Sequence, residues 1–163
     1  MEHIYLMINK LKIIISSIIL LVIDIVIKLI ISNKLIFNES ICIINNFFYI
    51  TYVKNTGVAW SILSGKINLI IIITLIIISV LIIYIFNKKN YSILEIISYS
   101  MILSGSMGNL IDRIIYGYVI DYLDFNILGY NYPIFNFADM CIVIGIILIL
   151  IFGGKYGISS GNK

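Results

Sequence analysis

Four long apolar runs separated by polar connections set the pattern of this chain. They are IIISSIILLVIDIVIKLII (13–31), INLIIIITLIIISVLIIYIF (67–86), ILEIISYSMILSGSMGNLIDRIIYG (93–117) and FADMCIVIGIILILIFG (137–153). As helices, runs of about 20 residues cover about 30 Å, the hydrocarbon thickness of a bilayer. Isoleucine is β-branched and would favour strands in water. In lipid the backbone must satisfy its own hydrogen bonds locally, so the runs predict helices. The second run carries no charge, and the third turns polar in its outer turns. Between the runs, segment 32–66 is long for a connector and is expected to fold against the membrane surface. Within it FFYITYV (47–53) alternates and predicts a short strand. No internal repeat is present, and the tail GGKYGISSGNK (153–163) reads as flexible.

Composition strengthens this picture. The 163 residues are 61% hydrophobic with one proline, and the mean hydropathy is +1.12. Soluble domains hold roughly 45–50% apolar residues. The reading is an all-α membrane protein forming one domain over 1–163. The first apolar run is too long for a signal-peptide core and lacks a small-residue cleavage site, so it reads as a retained anchor. Lys10, Lys12, Lys88, Lys89, Lys155 and Lys163 fall on one side of the runs, which is six of the eleven basic residues. Lys34, Lys54 and Lys66 fall on the other. The positive-inside rule then places both termini in the cytoplasm and segments 32–66 and 118–136 outside.

The net charge of +3 is small and dispersed, which argues against nucleic acid. Cys42, Cys141 and the single histidine, His3, have no metal-site spacing, so no metal or other cofactor is expected. The cysteines read as free, buried thiols.

Several polar groups remain in an apolar chain. Asp24 and Lys28 are spaced i, i+4 and share a helix face. They form either a neutralising ion pair or the edge of a functional cavity. KNTGVAWS (54–61) reads as a turn followed by an interfacial Trp60. Gly105, Gly108, Asn109 and Asp112 fall at helical spacing with Arg113 beside them, a pattern of close packing and structural polar contacts. Asp112 and Arg113 can compensate each other or pair elsewhere. Asp121 follows the outer end of the third run and Asp139 opens the fourth. The runs are antiparallel, so both carboxylates reach similar depth near the outer surface. Two close carboxylates share a proton, which suits general acid–base hydrolysis without a metal. A proton-coupled transporter would use similar carboxylates. Asp124 reads as an exposed interfacial carboxylate.

DIVIK (24–28), NTGVAWS (55–61), GSMGNLIDRIIYGYVIDYLDF (105–125) and FNFAD (135–139) together resemble lipoprotein signal peptidase, the bacterial type II signal peptidase. The resemblance covers nearly the whole chain. It implies an aspartic endopeptidase of the bacterial cytoplasmic membrane. Such an enzyme removes the signal peptide of a diacylglyceryl-modified prolipoprotein on the amino side of the lipidated cysteine. By motif, Asp121 and Asp139 are the catalytic pair. Asp24, Lys28, Asn55, Gly57, Asn109, Asp112, Arg113, Asn136 and Ala138 match supporting positions. The implied partners are lipidated substrates and membrane lipids, and the implied state is a monomer. A small β-cradle and a membrane-surface helix would fall mainly within 36–62. Ile25 stands where the family commonly has glutamine, and Trp60 where it has phenylalanine. Two rival chemistries stay in view. One is a transporter relay through Asp24, Lys28 and Asp112. The other is a Ser–Lys peptidase using Ser61 or Ser64 with Lys54 or Lys66.

Overall fold

The computed structural model describes residues 2–57 and 63–153. Trp60, Ser61 and the tail beyond Gly153 lie outside the described residues. The elements in chain order are α1 (Glu2–Lys34), β1 (Ser40–Ile44), β2 (Phe48–Asn55), α2 (Ile67–Asn87), α3 (Ile93–Tyr116), β3 (Val119–Ile127), β4 (Tyr130–Asn131) and α4 (Phe137–Phe152). The chain is thus mostly helical with one small antiparallel sheet. Two of its helices, α1 and α2, are long and apolar enough to cross a membrane. α4 is as apolar but shorter, and α3 carries Glu95, Asp112 and Arg113 among its buried residues.

The last three helices begin where hydropathy places them. The first does not. α1 starts at Glu2 rather than Ile13, so His3, Lys10 and Lys12 are helical. This extra length is anchored. Leu6 packs on a cluster of Ile13, Ile85, Tyr91 and Tyr99, and Lys10 Nζ donates to the Phe86 carbonyl at 2.7 Å. Nearby, a reciprocal cap starts α3. Ser92 Oγ accepts from Glu95 N, and Glu95 accepts from Ser92 N. Lys88 completes the turn with a 2.9 Å ion pair to Glu95.

At the opposite end the four strands lie in the order β1-β2-β3-β4, all neighbours antiparallel. The predicted strand 47–53 is β2. The cradle reaches well beyond 36–62, because β3 and β4 come from the second connection. No helix occurs among the described residues between Lys34 and Ile67, and the part of the expected surface helix that falls on 58–62 lies outside them. A second apolar cluster of Leu35, Tyr52, Ile120 and Tyr122 seats the sheet on the end of α1. Lys54 lies on β2 rather than in a loop, with its ammonium over the rings of Phe37 and Tyr118. Cys42 is exposed on β1, which corrects its reading as buried; Cys141 is buried.

α3 and α4 pack face to face because their interface is built from small residues. A Cβ at Gly105 would overlap the Ala138 carbonyl oxygen and lie 2.8 Å from Ile142 Cγ1. A Cβ at Gly108 would overlap Asp24 Oδ2. The first glycine lets the two backbones meet, and the second leaves room for a carboxylate from α1.

Candidate active site

The site forms where the ends of α1 and α3, the start of α4 and strand β3 converge. β3 leaves α3 at once, and its Ile120 N–H donates to Asp112 Oδ2 at 3.1 Å. Phe135 then zips back onto β3. Its carbonyl accepts from Tyr122 N and Leu123 N, and its N–H donates to the Leu123 carbonyl. This return sets Asn136 beside Asp121 and aims the start of α4 at the same point.

The first turn of a helix has N–H groups without helical acceptors. In α4 two of these meet partners from other elements, and a reciprocal cap within the helix start takes the rest. Phe137 N donates to Tyr122 Oη at 3.2 Å, and Ala138 N to Asp24 Oδ1 at 3.1 Å. Asp139 N donates to Asn136 Oδ1 at 2.8 Å. Asn136 N in turn donates to Asp139 Oδ2, completing a reciprocal cap with asparagine as N-cap. Tyr122 has no counterpart among the residues picked from sequence; nothing in its local pattern announces this contact.

Asn136 joins Asp121 and Asp139: its side-chain Nδ2 donates to the Asp121 carboxylate and its backbone N–H to the Asp139 carboxylate. Asp121 is 1% exposed. It accepts from Asn136 Nδ2 at 2.6 Å and from Asn55 Nδ2 at 2.8 Å. Asp139 is half-buried. It accepts from Asn109 Nδ2 at 2.7 Å and from the Asn136 backbone. Each carboxylate therefore has two N–H donors, one per oxygen.

The orientation of the three asparagines follows from their other ends. Asn55 Oδ1 accepts from Gly57 N, and Asn136 Oδ1 from Asp139 N. Asn109 Oδ1 accepts from both Lys28 Nζ and Asn136 Nδ2, each at 3.1 Å. With every oxygen held, every amide nitrogen is left to a carboxylate.

Buried charges close the network. Lys28 Nζ lies 2.9 Å from both Asp24 Oδ2 and Asp112 Oδ2. Arg113 does not pair with Asp112. Its guanidinium donates to the Asn109 carbonyl and, at 2.8 Å, to the Gly57 carbonyl. That second bond ties the turn after Asn55 to α3. All eleven residues selected from sequence thus meet in one connected set: Asp24, Lys28, Asn55, Gly57, Asn109, Asp112, Arg113, Asp121, Asn136, Ala138 and Asp139. Asp124 stands apart and is half-buried rather than exposed. It accepts from Thr51 Oγ1 at 2.6 Å, and Thr51 is hydrogen-bonded to Ser40. Among the described residues no group of His, Cys, Asp and Glu could hold a metal.

Burial, and then the charge of Asp139, lift the Asp121 carboxyl from 3.8 to about 7. One buried carboxylic acid beside a more accessible carboxylate is an arrangement that can move protons in both directions near neutrality.

The model of the family described as signal peptidase (SPase) II matches residues 16–153. A lipoprotein signal peptidase of Staphylococcus haemolyticus is 41% identical over 137 residues, covering 84% of this chain and 87% of that one. One from Halothermothrix orenii is 42% identical over 134 residues, covering 82% and 89%. A solved structure described as a bacterial membrane enzyme, determined in meso at 2.3 Å, superposes with a TM-score of 0.82 at 35% identity, covering 93% of each chain. A second, at 1.9 Å, gives a TM-score of 0.79 at 38% identity. With most of its length matched and the site formed inside the matched region, this chain belongs to the signal peptidase II family.

Proposed function

We propose that the protein is an aspartic endopeptidase that cuts diacylglyceryl-modified prolipoproteins on the amino side of the lipidated cysteine, with Asp121 and Asp139 as its catalytic pair. The observation that carries this reading is the shared asparagine. Asn136 binds both carboxylates, so they act at one place on one peptide bond.

Asp139 sits at the third position of α4, where the helix N-terminus favours negative charge. It is also the more accessible of the two. It takes a proton from water while the water oxygen adds to the scissile carbonyl carbon. Asp121 gives the shared proton to the carbonyl oxygen. Return of a proton to the peptide nitrogen then breaks the C–N bond, leaving the signal peptide as a carboxylic acid and the lipidated cysteine as a new amino terminus. No covalent intermediate is required.

α1, α2, α3 and α4 are read as four membrane spans, with both termini cytoplasmic and the sheet at the outer face of the bacterial cytoplasmic membrane. Many apolar side chains on α1, α2 and α4 point outward, among them Val22, Ile76 and Leu150. In lipid these need no protein partner. The substrate's apolar signal helix would enter from the bilayer, and one chain supplies the full residue set, which supports action as a monomer. The topology has a direct check. Exposed Cys42 should react with a membrane-impermeant maleimide added to intact spheroplasts, while buried Cys141 should not. Labelling of Cys42 only after lysis would contradict the outward sheet.

The transporter reading is not favoured by the family match. Its relay would run through Asp24, Lys28 and Asp112, which are held in closed ion pairs. For the Ser–Lys alternative, Lys54 is an exposed strand residue whose ammonium is engaged over the rings of Phe37 and Tyr118. Inhibition separates these mechanisms. A pepstatin-type statine peptide should block cleavage, and a serine-directed fluorophosphonate should leave it intact. The opposite pattern would refute an aspartic mechanism.

The pH dependence follows from Asp121. The active form of the pair holds one proton, so cleavage should decline as pH rises through about 7. Stability carries the same sign. The folded state holds a proton that the unfolded carboxyl releases near 3.8, so this contribution is full below that value and is lost as pH rises through about 7. Initial rates between pH 5 and 9 on a lipidated peptide check the alkaline limb, and a flat profile would contradict it.

A further inference from the structure

Lys28 is buried at 2% exposure among three acceptors, one for each N–H of its ammonium. Asp24 and Asp112 neutralise it. The third acceptor is the uncharged carbonyl oxygen of Asn109. That contact adds little to charge balance but has a geometric effect. With Oδ1 held by Lys28 and by Asn136 Nδ2, the Asn109 nitrogen must face Asp139, which it meets at 2.7 Å. A reversed amide would set its NH2 against the ammonium and the Asn136 NH2, and its oxygen against a carboxylate.

We propose that Lys28 is a positioning residue for the Asp121–Asp139 pair: its ammonium determines which end of Asn109 meets Asp139. The proposal rests on the dyad reading above. The charged groups facing this set are Asp24 and Lys28 from α1, Asp112 and Arg113 from α3, Asp121 from β3 and Asp139 from α4. Of the two cations, Lys28 alone contacts the Asn109 side chain; Arg113 binds the Asn109 backbone carbonyl. The network thus connects a cation on α1 to a carboxylate on α4 through one rotatable amide.

The test uses the purified full-length protein, a lipidated peptide substrate, and thermal unfolding of every variant. Lys28→Met alone would strand two buried carboxylates. The charges are therefore removed together, as Asp24→Asn, Lys28→Met and Asp112→Asn. Replacing a buried ionic group by neutral side chains of similar volume is commonly tolerated. The triple variant should keep a native-like Tm and a KM within about twofold of native. Its kcat should fall about 10- to 100-fold, the scale of one hydrogen bond to a charged acceptor. In an Asn109→Ala background the same triple change should cost no further rate. Asn109→Asp keeps an acceptor for Lys28 but removes the donor to Asp139, and should lose kcat similarly.

Native kcat in the folded triple variant, or losses that multiply in the Asn109→Ala background, would overturn the proposal. So would native kcat in Asn109→Asp. If the triple variant does not fold, Lys28→Met with Asp112→Asn, which removes one charge of each sign, decides: loss of kcat at unchanged Tm supports the proposal, and native kcat overturns it. Native-rate cleavage by Asp121→Asn or Asp139→Asn would instead refute the dyad. Silence of both, with native-rate Asn109→Asp, refutes the role of Lys28 alone.

Discussion

Asp139→Asn and Asp121→Asn should each abolish cleavage to within assay limits, a fall of about 10²- to 10⁴-fold in kcat, while the protein stays folded. That range is what a positioned acid or base contributes. An amide at 139 cannot take a proton from water, and one at 121 cannot give one to the carbonyl. The substitutions are nearly isosteric. At 121, however, both carboxylate oxygens accept from asparagine side chains. An amide has only one oxygen and so loses one of those bonds, at a cost of about 1.5–3 kcal/mol. The double variant should be no slower than either single one, because the two groups work as a unit. Losses that multiply would mean that the carboxylates act at separate steps. The readouts are kcat on a lipidated peptide and Tm for the same preparations.

Gly105→Ala should be the most damaging single methyl that can be added to the helix interface. The new Cβ would overlap the backbone oxygen of Ala138 and press on Ile142. A backbone atom cannot swing aside as a side-chain tip can, so α3 and α4 must part. Overpacking of this kind costs about 1–3 kcal/mol or more. The same separation draws Asn109 on α3 away from Asp139 on α4, a contact of 2.7 Å. Misplacement by about 1 Å can cost about 10²-fold in rate. Lower Tm and lower kcat should therefore appear together. Native activity with native Tm would mean that the helices do not meet as closely as described.

Much of this architecture is legible in the sequence because lipid imposes a simple rule. Long apolar runs become helices, which is why α2, α3 and α4 begin where their hydropathy rises. α1 outruns its apolar segment because Leu6 and Lys10 make contacts that only the folded bundle creates. The strand β3 was hidden for a different reason. VIDYLDFNI mixes carboxylates with apolar residues, and its pairing with β2 joins residues more than 60 positions apart, such as Lys54 and Ile120. Asp124 looked exposed because its partner, Thr51, comes from that distant strand.

Residue types at the site could be picked from motifs, but their wiring could not. Lys28 could be matched to Asp24 by helical spacing, whereas its second partner, Asp112, is brought close only by packing. Arg113, adjacent to Asp112 in sequence, turns instead to Gly57. The amide orientations of Asn55, Asn109 and Asn136 are set by hydrogen bonds between separate elements, and no local pattern encodes them.

The most direct measurement is incubation of the purified protein with a diacylglyceryl-modified prolipoprotein, with the products read by mass. The proposed function predicts one cut, leaving the lipidated cysteine as the new amino terminus, and no product from Asp121→Asn or Asp139→Asn. Cleavage at another bond, or native-rate cleavage by either variant, would contradict it.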